Sequence, residues 1–428
     1  MLDKKISIYN ITDSLSIFMV AAIPFRAFLT VNGYNVLLLS FFLAYILFLF
    51  INGREIKIFP FLIMFSIFFL YCCFSIFYSH YLTGTAWLLK RLIPSFILGF
   101  IIAQNILMGK RSNIDKLKFI NKLLLGYTIA TILVTIYLLI FELPLLEGWG
   151  RLGKYLYEEE SQMVYSYHLM VSLSFLSYLI IFKKDIKLPK KYTLLIWGSI
   201  GLLFIATFLT SIRKAIIAPL LFIAISLFLR DRKKFIKLIK SLLISIILAI
   251  VVYVLITKVD SLYIIIGRRI EALINGLFTG EYDAGSYNDL SGSERELLRE
   301  NAWDLFRQYP IFGYGLDAFK SYTSMHGTRA VYAHSNYLEL LASLGLTGFI
   351  LFYGTMLVLV MKIWFNYRKT NESIYIFGIS FILVQLVMDY GQVSYYTITH
   401  VLIYFIIASS ICIIQDKRKA ENEGKKAI

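Results

Sequence analysis

Three side chains in this sequence have both the type and the setting for chemistry. His334 lies in Ala333-His334-Ser335-Asn336-Tyr337-Leu338-Glu339, where a polar stretch runs into the apolar one that opens with Leu340-Leu341. A histidine near the first turn of a helix faces unsatisfied N–H groups, whose positive field disfavours the imidazolium form. A neutral imidazole can take a proton from a hydroxyl, as the base of a group transfer must. The alternative for His334 is an interfacial residue that only caps or packs. Arg213, in Leu209-Thr210-Ser211-Ile212-Arg213-Lys214-Ala215, and Arg295, in Ser291-Gly292-Ser293-Glu294-Arg295, supply guanidinium groups. Arginine grips phosphate through a rigid two-pronged fork and keeps its charge at any working pH. Several arginines, a histidine and no acidic dyad suggest a diphosphate site, where the charge of a leaving group is neutralised without metal.

Other cations can join them in binding. Lys214 adjoins Arg213, and Arg299 follows Arg295 by one helical turn. Lys90 and Arg91 fall one turn into a hydrophobic run, and Arg26 falls inside another. A cation at the centre of a membrane helix costs ~2.5–3.5 kcal/mol on insertion scales, and less near the interface. Lipid phosphates, a carboxylate such as Glu142 or Asp389, or an anionic substrate can offset that cost. For Lys90 and Arg91, reaching out to the interface is the alternative to holding substrate.

Missing patterns narrow the chemistry. The chain has no DxD triplet, no GxxxxGK[ST] loop and no HExxH. It has no Cys/His cluster, no glycosidase-like carboxylate pair and no GxSxG. Metal–nucleotide-sugar, P-loop and zinc chemistries therefore lack support, and no metal or cofactor is expected.

The elements that must position these residues are membrane helices. The 428 residues are 58% hydrophobic and only 16% charged, with a mean hydropathy of +0.71. A soluble chain is about a quarter charged. Spanning ~30 Å of hydrocarbon takes ~20 apolar residues. Twelve runs qualify, at 14–31, 34–51, 58–79, 86–108, 119–142, 162–182, 192–210, 214–229, 236–257, 334–361, 373–390 and 396–415. The run at 334–361 is long enough to tilt or break near Gly345 and Gly348. The expected fold is an all-α integral membrane protein, one polytopic domain over 1–428. Cys72, Cys73 and Cys412 all lie inside apolar runs and outline no disulfide framework. No cleavable signal peptide is expected at the N-terminus.

The net charge of +16 is not gathered into one patch with interleaved aromatics, so nucleic acid is not an expected partner. With the N-terminus taken as cytoplasmic, 27 of the 43 Lys and Arg residues fall in loops on that side. The short opposite loops 32–33, 80–85 and 391–395 carry none. That asymmetry predicts both termini in the cytoplasm. Arg213, Lys214, Lys90, Arg91, Arg295 and His334 then sit on the outer side. The outer loop 258–333 is far longer than a connection needs, which marks it as functional. Within it, a serine followed by acids predicts a helix running to Tyr309, with Arg295, Arg299, Ala302, Trp303 and Phe306 on one face. Beyond it, Gly313 and Gly315 in Pro310-Ile311-Phe312-Gly313-Tyr314-Gly315-Leu316-Asp317-Ala318-Phe319 mark a turn.

Over roughly 205–390 the ordered set of these segments resembles the bacterial O-antigen ligases and the related O-antigen and capsule repeat-unit polymerases. Thr210 to Ala215, Gly292 to Arg295, Pro310 to Gly315, His334 to Glu339 and Asp389 carry the resemblance; the first 200 residues match only in hydropathy. It implies a GT-C-like bundle and metal-independent, inverting glycosyl transfer at the outer face of the bacterial cytoplasmic membrane. The implied donor is a glycan on undecaprenyl pyrophosphate. The acceptor is a sugar hydroxyl, on lipid A core for a ligase or on another glycan repeat for a polymerase. Membrane lipid and a chain-length regulator are the further partners implied. By position His334 would be the base that activates the acceptor, and Arg213 and Arg295 would hold the departing diphosphate. Lys214 can share the role of Arg213, and His326 is a rival base. The reading leans to a polymerase. A flippase for lipid-linked glycans is the alternative from another class; it would place its charges near the bilayer midplane rather than at the outer edge.

Overall fold

The computed structural model describes residues 8–28, 56–108, 112–145, 163–186, 188–210, 212–230, 292–325 and 331–426. Isolated positions between them are Ser40, Leu43, Leu152, Gly153, Leu156, Lys258 and Tyr263. The helices are α1 (Ile8–Ala22), α2 (Pro60–Phe74), α3 (Leu82–Met108), α4 (Asn113–Tyr137), α5 (Met163–Ile181) and α6 (Lys190–Thr210). There follow α7 (Arg213–Arg230), α8 (Gly292–Gln308), α9 (Ala318–Met325), α10 (Asn336–Thr370), α11 (Ser373–Met388) and α12 (Ile398–Lys426). No strand occurs among the described residues. His326 and the expected runs at 34–51 and 236–257 lie outside them, Ser40 and Leu43 apart.

Among the described residues, six helical stretches are long and apolar enough to cross a membrane: Pro60–Phe77, Leu82–Leu107, Asn113–Glu142, Val164–Ile181, Lys190–Thr210 and Asn336–Thr370. The outward faces read the same way. Leu125, Ile129, Leu133, Ile136 and Ile140 recur every three or four residues along α4 and the π turn that continues it, and are 40 to 58% exposed. One continuous apolar stripe left uncovered suits lipid rather than water. The protein is a multi-pass membrane protein.

Two units can be described. The first comprises Met1–Tyr127, Leu297–Ile382 and Leu386–Ile428, and the second Thr128–Glu296 and Leu383–Gln385. In the first, α3 packs along α12 and α2 along α10. Gly99 on α3 makes that packing possible, because a Cβ there would run into the Phe405 ring on α12. Phe405 meets Phe61 and Phe65 of α2 edge-on at 5.3 and 5.6 Å, a favoured aromatic geometry. In the second unit α5 is buried from Tyr165 to Leu179 against α6 and α7. Its Ser166, Ser172, Ser174 and Ser177 are the small polar residues that let membrane helices approach closely.

The expected break in α10 falls at Gly345 (φ 63°, ψ −168°). A break strands backbone groups that lipid cannot satisfy, and the turn at Pro310–Gly315 supplies their partners. Tyr314 and Gly315 donate their N–H groups to Ala342 O and Ser343 O at 3.2 and 2.8 Å, and Leu346 and Thr347 donate theirs to Pro310 O and Ile311 O at 2.8 and 3.1 Å. Tyr71 of α2 adds a hydroxyl to Leu344 O at 2.9 Å. Gly313 (φ 71°) has no room for a side chain, since a Cβ would lie 2.5 Å from Ser343 O. The glycine turn is thus the half of a helix break that lies in another segment.

Candidate active site

His334 stands one residue before the N-cap of α10. Ser335 is that cap, with extended backbone and its Oγ accepting from Leu338 N–H. His334 itself takes a left-handed φ of 50°, strained for a residue with a side chain and held only where its surroundings demand it. Those surroundings are defined on both sides. Before it, the Ala333 N–H donates to Glu339 Oε2 at 3.0 Å, and Glu339 is fully buried with Ser343 Oγ on its other oxygen at 3.3 Å. After it, Asn336 spends its amide on Tyr353 of α10 and on the turn between α11 and α12. Its Nδ2 donates to Tyr353 OH at 2.8 Å and Asp389 Oδ2 at 3.2 Å. Its Oδ1 accepts from the N–H groups of Ser394 and Tyr395 at 2.9 and 3.2 Å. Its own N–H donates to Asp389 O at 2.7 Å. Tyr353 OH and Ser394 Oγ donate to the two carboxylate oxygens of Asp389 at 3.0 and 2.6 Å. Asp389, which the sequence offered as a counterion for a membrane cation, is engaged in this clamp. The imidazole is left half-exposed on a backbone pinned before and after it.

Arg299 reaches the same turn. Its guanidinium lies 4.6 Å from the Tyr390 ring centre and its NH1 donates to Tyr390 OH at 3.2 Å, while Nε is buried without a partner. The helix that carries it runs over 292–308, but its buried stripe is Leu298, Ala302 and Leu305, and Trp303 is 40% exposed. Of the expected face, Ala302 is buried, Trp303 is exposed, and Arg299 and Phe306 are half-buried. Arg295, in the first turns of α8, is half-buried.

At the other end of the turn, Tyr396 shares a hydrogen bond with Tyr332, two residues before His334. Beside them, Arg91 lies 4.1 Å from the Trp87 ring centre, and Lys320 lies 4.2 Å from that ring and 5.0 Å from Tyr332. Arg91 is half-exposed and Lys90 exposed. Asp317 precedes α9 at a left-handed φ of 60° and is 3% exposed. Burial pushes its carboxyl up to about 7 against the pull of Lys320 and Arg91. Burial, with Asp317 close by, drives the Tyr332 hydroxyl upward as well.

His334, Arg299, Arg91 and Lys90 thus belong to one unit, and His334 and Arg299 flank one turn. Arg213, Lys214 and Arg295 belong to the other unit. The Arg213 backbone opens α7, and Lys214 is half-exposed in the same first turn. The neighbours missed in the sequence are Trp87, Asp317, Lys320, Tyr332 and Tyr396. Asp317 and Lys320 had one legible signal, an i, i+3 pair directly after the glycine turn. Among the described residues no three His, Cys, Asp or Glu side chains group so as to hold a metal ion.

Residues 198–353 match the family model for O-antigen ligase. Over this segment the chain is similar to the O-antigen ligases. The segment contains Arg213, Arg295, the Pro310–Gly315 turn, His334 and the break at Gly345, and it ends before Asp389. The resemblance to the O-antigen ligase superfamily therefore holds over the part of the chain that carries the motifs. No curated protein matches the chain. The apolar helices make this a membrane protein, and its segment 198–353 is the part similar to O-antigen ligases.

Proposed function

We propose that the protein is an inverting, metal-independent glycosyltransferase of about twelve spans and GT-C-like architecture. It acts at the outer face of a bacterial cytoplasmic membrane, with both termini inside. It moves a glycan from undecaprenyl pyrophosphate to an acceptor sugar hydroxyl. His334 takes the proton of that hydroxyl as its oxygen attacks the anomeric carbon. The bond from that carbon to the diphosphate oxygen breaks, the electron pair leaves with the diphosphate, and the configuration inverts. Arg213 and Arg295 hold the diphosphate and meet its growing charge. Lys214, Arg299, Arg91 and Lys90 bind substrate. The observation that carries this reading is the clamp on both sides of His334, inside a segment that matches O-antigen ligases. A base held in place before substrate arrives is what positioned proton transfer needs.

The lean to a polymerase over a ligase is tested with purified protein, lipid-diphosphate-linked repeat units and excess chelator. Longer glycans on the same carrier are expected. Transfer to added lipid A core instead would make it a ligase, and flipping across a bilayer without a new glycosidic bond would make it a transporter. His334→Ala and Arg295→Ala are expected to abolish bond formation while leaving membrane insertion unchanged. Full activity in His334→Ala would remove it as the base.

A further inference from the structure

The polar groups beside His334 are unevenly satisfied. Those of Asn336 and Asp389 close on one another, whereas Asp317, almost fully buried, has its Oδ1 without any hydrogen-bond partner. Arg91 and Lys320 lie close enough to act on that carboxylate. Yet neither makes an ion pair with it, or with any other acid among the described residues. Both cations instead rest against Trp87, and Lys320 also against Tyr332. Gly84 of α3 helps to shape the place, because a Cβ there would come within 3.3 Å of Asp317 Oδ2. Four separate stretches of chain therefore meet: the start of α3, the start of α9, the segment leading to His334, and Tyr396.

A buried carboxylate oxygen that lacks a donor costs free energy until a donor arrives. Two cations stacked on aromatic rings beside it keep their charge available to a ligand anion. A sugar carrying a negative group offers both complements, a hydroxyl to donate and an anion to be held. We propose that Asp317, Arg91, Lys320 and Trp87 form a subsite for an anionic sugar, with Asp317 accepting from a ring hydroxyl and Arg91 and Lys320 holding a carboxylate or phosphate. The subsite rests on the glycan-transfer reading, and it adds a substrate class to it. The anion can belong to an acidic sugar of the acceptor or to the phosphate-bearing sugar of the donor.

Titration of the purified protein with D-glucuronate, D-glucose 1-phosphate and D-glucose tests this, read by tryptophan fluorescence and separately by thermal shift. Saturable responses to one or both anions are expected, with D-glucose at least about tenfold weaker. A response to D-glucuronate alone assigns the subsite to an acidic sugar, and one to D-glucose 1-phosphate alone assigns it to the donor. Lys320→Gln and Arg91→Gln should each weaken binding about tenfold, Trp87→Phe should remove the fluorescence signal, and Lys118→Gln should change nothing. An equal response to D-glucose, an unaltered titration in Lys320→Gln, a signal that survives in Trp87→Phe, or no saturable response at all would overturn the subsite. The two readings separate cleanly. Binding that persists in a transfer-dead His334→Ala supports the subsite independently of turnover. Transfer by wild type that binds neither anion ends the subsite and leaves the reaction standing.

Discussion

The Pro310–Gly315 turn and the cluster at Asp317 lie two residues apart in sequence and differ in how completely their polar groups are met. At the turn, four loop-to-helix backbone hydrogen bonds close the gap that Gly345 opens in α10. At the cluster, a carboxylate oxygen is buried without a donor and two cations rest on Trp87 without an acid. A satisfied buried network fixes a backbone, whereas an unsatisfied one has a place for something else. The first region is scaffold, and the second faces substrate.

The sharpest way to break that distinction is at the scaffold. Gly345→Ala should lower stability by about 3 kcal/mol or more, since the residue sits at positive φ and its Cβ would lie 2.7 Å from Gly313 N. A large fall in detergent melting temperature and yield is expected; an unchanged melt would mean that the turn does not support α10. Asn336→Ala should cost roughly 2–4 kcal/mol, because it strands Asp389 and two backbone N–H groups together. Transfer activity should fall with it if the clamp positions His334.

The Asp317 cluster should respond in the opposite sense. With the Asp317 carboxyl raised from 3.8 to about 7, the folded protein holds that proton more tightly than the unfolded chain. The stabilising contribution of that proton is fully present below pH 4 and is lost as pH rises through 7. Asp317→Asn should therefore be more stable than wild type above pH 7, by at most about 4 kcal/mol, and lose its advantage towards pH 4. Melting temperatures across that range test it; an advantage that grows on acidification would contradict the buried carboxyl. The smallest effect belongs to Gly354→Ala, where a Cβ meets nothing within 4 Å, and the melt should move by less than about 1 kcal/mol.

Much of the scaffold was legible beforehand. Apolar runs announced the membrane helices, the acids after Ser291 announced the helix at 292–308, and length with glycine announced the break in α10. The pairing of turn to break was not, because main-chain hydrogen bonds between Tyr314 and Ala342 leave no trace in side-chain type. The Asp317 cluster was hidden for another reason. Trp87, Asp317, Tyr332 and Tyr396 are ordinary residues far apart in the chain, and only the packing of α3, α9 and the α11–α12 turn makes them neighbours. Asp389 was visible as an acid near the membrane, but its hydrogen bonds with the Asn336 amide and the hydroxyls of Tyr353 and Ser394 were not. His334 was found through its motif, and its confinement between Glu339 and Asn336 only through the fold.

Glycan transfer by wild type and His334→Ala, measured side by side from a lipid-diphosphate donor with chelator present, goes most directly to the heart of the matter. Wild type should form new glycosidic bonds, and the variant should form none while retaining D-glucuronate or D-glucose 1-phosphate binding. Equal bond formation by both proteins would contradict a base at His334.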